Sequence, residues 1–374
     1  MPRIRSKAIR QAYKISPHAA TILPTCRDLP STLNELRWIR EHVAELQRGR
    51  PPSPRRAEHQ VALLCRRRGR GVPLQYLLGS QPFGNLDLKC RPGVLIPRPE
   101  PEAYTTHLAN LIKRGSLLGH VDNQHPPALR ILDLCTGTGC IALLLYSLLR
   151  HHTAPTGLHV LGVDISAQAV QLAHENLAHN TTKGLISGPQ PPRQSVDFIR
   201  GDVFSDSLLA ALESKEGGGA GGARRQQPGW DVLVCNPPYV SDWAFARQSA
   251  RSVRNYEPKI AQVPAEVYHR GSGGAHRPED VFYARLLDIA VRLRPRVMLF
   301  EVGDLRQALR VAEMALGHEG LAGSGFKVSV EVWRDWPDAA PEEDEETSAE
   351  VCGASREVHV KGSGHGRSVF IQCS

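Results

Sequence analysis

The sequence predicts a doubly wound α/β domain preceded by a small helical domain, and three observations carry that expectation. From about residue 128 short apolar runs alternate with helical segments. The runs are almost continuously apolar, as strands of a parallel sheet covered on both faces must be. Residues 32–80 show instead apolar positions recurring at helical spacing.

The first 27 residues hold Arg3, Arg5, Lys7, Arg10, Lys14 and Arg27 and no Asp or Glu. An Arg-rich, acid-free start is the composition of a mitochondrial presequence, so 1–30 are expected to be a leader or a disordered tail. Ser31–Thr32 can cap a helix through Leu33, Leu36, Ile39, Val43 and Leu46. "RPPSP" (50–54) breaks it, and "RRAEHQVALLCRRR" (55–68) reads as the next helix. These runs define a helical domain over 31–80, followed by a linker over 81–127. The expected strands are then "LRILDL" (129–134), "LHVLGVD" (158–164), "VDFIRGD" (196–202), "WDVLVCN" (230–236), "RVMLFEVG" (296–303), "FKVSVEVW" (326–333) and "SVFIQC" (368–373). Three polar or Gly-rich stretches, 183–194, 213–229 and 337–366, read as solvated insertions into the domain over 128–374.

At 374 residues with 41% hydrophobic content, the chain can bury a large core, and no apolar run reaches the ~18 residues of a membrane span. A soluble protein without a membrane partner is expected. The 8 cysteines form no C-x-x-C pair and no cluster at metal-ligand spacing, so they read as buried thiols and no metal site is expected. The net charge of +8 is uneven, and Arg55, Arg56, Arg66, Arg67, Arg68 and Arg70 form a second basic block. That block suits an acidic or nucleic-acid partner, or a solvated helix face.

Chemistry concentrates where strands end. "LDLCTGTGCIA" puts Asp133, Gly137, Thr138 and Gly139 at a strand-to-helix turn, where glycines admit a ligand to the backbone and a helix offers free N–H groups. The turn fits a dinucleotide fingerprint and an S-adenosylmethionine site about equally, with Asp164 as the ribose acid in either case. "GDVF" adds Asp202 and Phe204, which can hold an adenine by hydrogen bond and by stacking.

The fourth strand runs into Asn236-Pro237-Pro238-Tyr239. In an open α/β sheet ligands lie beyond the carboxyl ends of the strands, so this turn shares a crevice with Gly137, Asp164 and Asp202. A planar nitrogen is a poor nucleophile because its lone pair is delocalised. Two acceptors on its two N–H bonds, the Asn236 side-chain oxygen and the Pro237 carbonyl, would hold it with the lone pair facing a methyl donor. The prolines fix the carbonyl direction and Tyr239 offers a flat apolar face. Such a site needs positioning more than a strong base.

With these motifs in place, the sequence resembles the HemK-type protein-(glutamine-N5) methyltransferases of peptide-chain release factors. Adenine-N6 and guanine-N2 nucleic-acid methyltransferases share the four-residue turn. The resemblance to the release-factor family rests also on "VPLQYLLGSQPFGNLDLKCRPGVLIPRPEPE" (72–102), "YEPKIA" (256–261) and "FEVG" (300–303), in the family's order. It covers roughly 33–373 apart from the insertions. It implies a class I S-adenosylmethionine-dependent, Rossmann-like methyltransferase that modifies the glutamine of a Gly-Gly-Gln motif and uses its helical domain to grip the release factor. With the basic leader, it implies a mitochondrial (matrix), fungal-type member; a monomer without direct nucleic-acid binding is expected, while contact of the basic segment 55–70 with RNA is left open by the sequence. The family's roles fall on Asp133, Gly137, Thr138, Gly139, Asp164, Asp202, Phe204 and Asn236 for the cofactor. For the glutamine amide they fall on Asn236, Pro237, Pro238 and Tyr239, with Arg98 and Glu102 lining the site and Glu301 at the same edge. Two departures stand out: Cys135 occupies the place of the turn's first glycine, and the helical domain reads shorter than the family's bundle. A nucleic-acid methyltransferase would carry a target-recognition module, which is not found. A non-catalytic relative would have lost Asn236 or the glycines, and both are intact.

Overall fold

The computed structural model describes residues 4–49, 51, 53–115, 117, 128–153, 157–214, 229–269, 277–322, 327–351 and 356–373. In chain order the elements begin with helices α1 (Ser6–Ile15), α2 (Pro17–Cys26), α3 (Leu29–Leu46), α4 (Pro54–Gly69) and α5 (Leu74–Leu78). Strands β1 (Ser80–Phe83) and β2 (Leu86–Lys89) and helix α6 (Pro99–Lys113) follow. Then come β3 (Leu129–Leu134), α7 (Cys140–Leu149), β4 (Leu158–Asp164), α8 (Ala167–Thr182), β5 (Gln194–Arg200), α9 (Asp206–Ser214) and β6 (Val232–Cys235). Short helices α10 (Asp242–Arg247), α11 (Arg251–Tyr256) and α12 (Glu266–His269) precede α13 (Val281–Leu293), β7 (Val297–Glu301), α14 (Leu305–Gly317) and α15 (Glu319–Ala322). The chain finishes with β8 (Val328–Trp336), β9 (Ser348–Val351), β10 (Arg356–Lys361) and β11 (Ser363–Cys373).

Two units result. The helical unit comprises residues 1–81, 90–96 and 248–258. Its core joins Ala12, Ala19, Ile22 and Leu23 of α1 and α2 to Leu36, Ile39 and Val43 of α3 and Val61 and Cys65 of α4. This corrects two expectations. Segment 6–26 is a packed helix pair, not a disordered tail, and the helical domain is not short, because α1 and α2 belong to it. Small alanines at helix contacts bury fully while leaving the charged faces outside, so composition hid the core. The cap of α3 is also displaced. Asp28, not Ser31–Thr32, closes the helix by accepting from the Ser31 amide at 2.8 Å, followed by proline in the first turn. In the same unit Tyr76 donates to the Val94 carbonyl at 2.7 Å, and Glu257 accepts from the Ile96 amide at 3.1 Å. The "YEP" and "LIP" stretches therefore meet directly.

The second unit comprises 82–89, 97–247 and 259–374. Its nine-stranded sheet has the order β5-β4-β3-β6-β7-β11-β8-β10-β9. The first five strands are parallel, whereas β11 runs antiparallel to both β7 and β8. Alternate residues of β3 feed opposite faces. Leu132 and Leu134 pack with α9, α13 and α14, while Leu129 and Ile131 pack with α6, α7 and α8. The sheet is thus doubly wound, as the apolar runs predict.

Several boundaries differ from the sequence reading. The linker over 81–127 contains the ribbon β1–β2 and the helix α6. Leu86 and Leu88 are buried, and Asn176 and Asn180 of α8 accept from the Lys89 and Asp87 amides at 2.7 and 2.9 Å. The stretch 337–366 is not only a loop. It supplies β9 and β10 and the start of β11, with Val351, Val358 and Val360 buried in the core cluster that α14 also enters. In the stretch 183–194, Ile186 is buried in the core. The Gly-rich insertion at 213–229 lies, but for its ends, outside the described residues. No described helix is long and apolar enough to cross a membrane, and no described His, Cys, Asp or Glu cluster is arranged for a metal.

Candidate active site

The parallel strands carry the candidate residues to one edge of the sheet. β3 leads into the glycine turn, β4 ends at Asp164, β5 precedes Asp202, β6 ends before Asn236 and β7 ends at Glu301. In the turn three alternate residues have left-handed backbones: Cys135 at φ 61°, Gly137 at 56° and Gly139 at 78°. A Cβ on Gly139 would lie 3.0 Å from both Ala173 and Phe198, so close packing as well as φ requires glycine there. A Cβ on Gly137 would meet nothing within 4 Å, leaving open space over the turn. Helix α7 begins at once behind Gly139, which has no side chain to cap it; Asp133 takes the Ala142 amide, and the amides before it face no N-cap side chain.

Cys135 is the costly member of this turn, because a left-handed backbone is unfavourable by roughly 1–2 kcal/mol for a residue with a Cβ. A Cys135→Val variant, whose β-branch aggravates the clash, is expected to lose about 2 kcal/mol in urea unfolding. Cys135→Gly is expected to be at least as stable as the parent. Equal stability of the valine variant would show that the turn does not hold this φ.

Two of the sequence candidates lie behind the turn instead of in the crevice. Asp133 is wholly buried; its Oδ2 accepts from the Thr136 hydroxyl at 2.6 Å and the Ala142 amide at 3.2 Å, while Oδ1 has no hydrogen-bond partner. Burial pushes its carboxyl up to about 7 against the pull of those two bonds. Thr138 is also buried, and its carbonyl accepts from Asn176 at 2.9 Å. Both brace the turn from within. Their places in a cofactor motif could not reveal this, because a strand alternates faces and a tight turn does not.

Asp164 and Asp202 are partly exposed at the edge. Asp164 accepts from the Gly137 amide at 2.9 Å and the Ser166 amide at 2.8 Å, and burial raises its carboxyl above the usual range. A carboxylate has about four acceptor positions, so two remain for ribose hydroxyls. Asp202 accepts from the Phe204 amide at 2.9 Å. Tyr268, absent from the sequence candidates, reaches both Asp202 and Phe204, the residues expected to hold the adenine. Its ring stacks on Phe204 at 4.0 Å and 13°, and its hydroxyl donates to Asp202 at 3.3 Å. The stacking surface expected to be open is therefore covered on one side by a tyrosine.

At the end of β6 the asparagine turn is half-buried, with Pro237 and Pro238 buried beneath it. The Asn236 side-chain amide makes no hydrogen bond among the described residues and is partly exposed. Tyr239 is held firmly. Its hydroxyl donates to Glu301 Oε1 at 2.8 Å, its carbonyl accepts from Gln307 at 3.2 Å, and its ring lies against Gly303, where a Cβ would stand 3.3 Å from it. The other carboxyl oxygen of Glu301 accepts from Tyr104 of α6 at 2.7 Å, and its carbonyl accepts from Tyr283 at 2.8 Å. Burial raises Glu301 from 4.5 to about 7, opposed by the two tyrosine bonds and by the Arg367 charge. Burial and Glu301 push the Tyr239 phenol far above its ordinary value, so it stays a neutral donor.

Arg98 and Glu102 sit at the start of α6, Arg98 as the residue before its first turn and Glu102 within it; both are partly exposed. They are tied to the asparagine turn through Tyr104 on the same helix and Glu301. The role of Glu301 was legible only as a strand-end acid, because its partners are 62 and 197 residues away in sequence.

No family model matches the chain. Among curated proteins it is 32% identical over 263 residues to the mitochondrial MRF1 N(5)-glutamine methyltransferase MTQ1 of Saccharomyces cerevisiae, covering 70% of this chain and 68% of that protein. A Schizosaccharomyces pombe protein named as a probable MRF1 mitochondrial N(5)-glutamine methyltransferase is 31% identical over 326 residues, covering 82% and 87%. The release factor glutamine methyltransferase of Thermodesulfovibrio yellowstonii is 30% identical over 282 residues, covering 74% and 77%. Solved structures are more distant. The N-terminal domain of human METTL16 with SAH is 16% identical and covers 81% of each chain at a TM-score of 0.39, too low to carry weight.

Proposed function

The chain belongs to the release factor glutamine N5-methyltransferase family, and from that membership we propose that it methylates the Gly-Gly-Gln glutamine of a mitochondrial release factor, in the matrix. The enzyme depends on S-adenosylmethionine, which when bound supplies an electrophilic methyl. The residues present fit that cofactor: open space over Gly137, a helix α7 with no side-chain cap from its N-cap residue, and acceptors on Asp164 and Asp202. Asp202 keeps acceptor positions beyond those taken by the Phe204 amide and the Tyr268 hydroxyl, and these would hold the adenine amine.

The observation that carries the reading is the Asn236 amide, without a hydrogen bond among the described residues, beside a tyrosine clamped by a buried carboxyl. Its oxygen and the Pro237 carbonyl accept the two N–H bonds of the glutamine amide, and Tyr239 flanks the amide plane. The double proline fixes the Pro237 carbonyl and the end of β6 sets the position of Asn236, so the arrangement favours displacement by positioning. One amide proton leaves to solvent after the N–C bond forms, so no strong base is needed. Arg98 and Glu102 flank the approach of the peptide.

The test is methyl transfer from labelled S-adenosylmethionine to recombinant mitochondrial release factor, native against Gln→Ala in its Gly-Gly-Gln. Incorporation is expected only into the native factor. Label that persists in the alanine factor, or that passes to nucleic acid, would sink the proposal.

A further inference from the structure

Charge is divided sharply between the two units. The helical unit holds 19 of the chain's 46 Lys and Arg but only 6 of its 38 Asp and Glu, so the catalytic unit is net acidic with 27 against 32. The whole-chain value of +8 understates this contrast. Only Lys7 and Lys14 among those 19 are lysines.

Helix α4 shows how the charge is displayed. Val61 and Cys65 point into the core, and the opposite face carries Arg55, Arg56, His59, Arg66, Arg67 and Arg70, all exposed. None of these five arginines has a carboxylate partner among the described residues, whereas Arg68, turned inward, is paired with Glu35 at 2.5 Å. From Arg55 to Arg70 the stripe runs about 22 Å at the helical rise of ~1.5 Å per residue.

Folding does not explain the stripe. Arginines 66 to 68 suit the negative end of the helix dipole, but Arg55 and Arg56 stand in the first turn, where cations are unfavourable and which holds no acid; Glu58, one turn on, is engaged by His18 at 2.7 Å. A helix that keeps arginine at its positive end and excludes acids along one whole face is arranged for an anion outside the chain. The guanidinium fork matches phosphate oxygens in pairs and is more weakly hydrated than an ammonium. Helix α1 repeats the pattern: Lys7, Arg10 and Lys14 are exposed around Tyr13, whose ring is 69% exposed and can stack on a base. We propose that the outer face of α4 in the helical unit binds the phosphate backbone of an RNA.

The arginine stripe and the asparagine turn belong to different units, and binding is measured without methyl transfer. Full-length protein is titrated into a labelled, unstructured 30-nucleotide RNA between 50 and 300 mM KCl. Five phosphate contacts predict a log–log salt slope near about −3.5. Replacing Arg55, Arg56, Arg66 and Arg67 by Gln is expected to flatten the slope by about 3 and to weaken binding at least tenfold at 100 mM. Arg55→Gln with Arg56→Gln alone should remove about half of that change and should not lower the melting temperature, which separates lost binding from lost folding. Three results would overturn the proposal: no RNA binding at 50 mM salt, a slope unaltered in the fourfold variant, or a raised KM for release factor with RNA binding intact. The last would identify the stripe as a protein-docking face.

Discussion

Asn236→Ala is expected to lower turnover by roughly two to three orders of magnitude, the usual penalty for losing one preorganised polar contact to the reacting group. Affinity for S-adenosylmethionine should stay within about threefold, because the glycine turn, Asp164 and Asp202 do not depend on this side chain. Fold should also survive. The amide makes no hydrogen bond to a described residue, so truncation leaves no buried partner unsatisfied. The readouts are single-turnover methyl transfer, calorimetric cofactor titration and a thermal melt on the same preparation. Near-normal turnover would refute the acceptor role, and a collapsed melt would mean that the side chain is structural.

The second large effect concerns Glu301, which never needs to touch the substrate. Its ionised carboxyl accepts from Tyr239 on one side and Tyr104 on the other, so it positions the asparagine turn against α6. Below about pH 7 the carboxyl is protonated and one oxygen becomes a donor, which competes with a tyrosine hydroxyl for the same bond. Turnover of the parent is therefore expected to rise with pH through about 7. Glu301→Gln, which always carries one donor, should lose about tenfold in kcat at pH 8 and lose that step in the profile. Stability moves the other way. The folded state holds a proton that the unfolded chain releases near 4.5, so the stability contributed is full below 4.5 and is lost as pH rises through about 7. A shift of this size is worth on the order of 3 kcal/mol. Asp133, raised from 3.8 to about 7 by burial, adds a loss of the same sign. The melting temperature should fall from pH 5 to pH 8, by less in Glu301→Gln. A kcat profile unchanged by the substitution would remove Glu301 from the positioning of Tyr239.

The parallel core was readable because fully buried strands leave uninterrupted apolar text; the bounds read for β3 and β4 are those observed. The helices before residue 27 were not, since half of their core positions are alanine and their surfaces have the Arg-rich, acid-free composition of a leader. Strand-end residues were legible as a set, because topology alone sends Gly137, Asp164, Asp202 and Asn236 to one edge. Their orientation was not. Asp133 and Thr138 turn inward, and the grips of Tyr104, Glu301 and Tyr268 arise from pairings distant in sequence, which no local period encodes.

The position of β11 carries a consequence for how the enzyme comes into being. The last strand of the chain lies between β7 and β8, both of which precede it in sequence. Until it is in place, β8, β10 and β9 have no hydrogen-bonded route to the parallel strands. The same strand brings Arg367, whose carbonyl accepts from the Val302 amide at 2.8 Å and whose charge steadies Glu301. Closing the sheet and completing the surroundings of Glu301 are thus one event, because the strand that joins the two halves is also the one that carries Arg367.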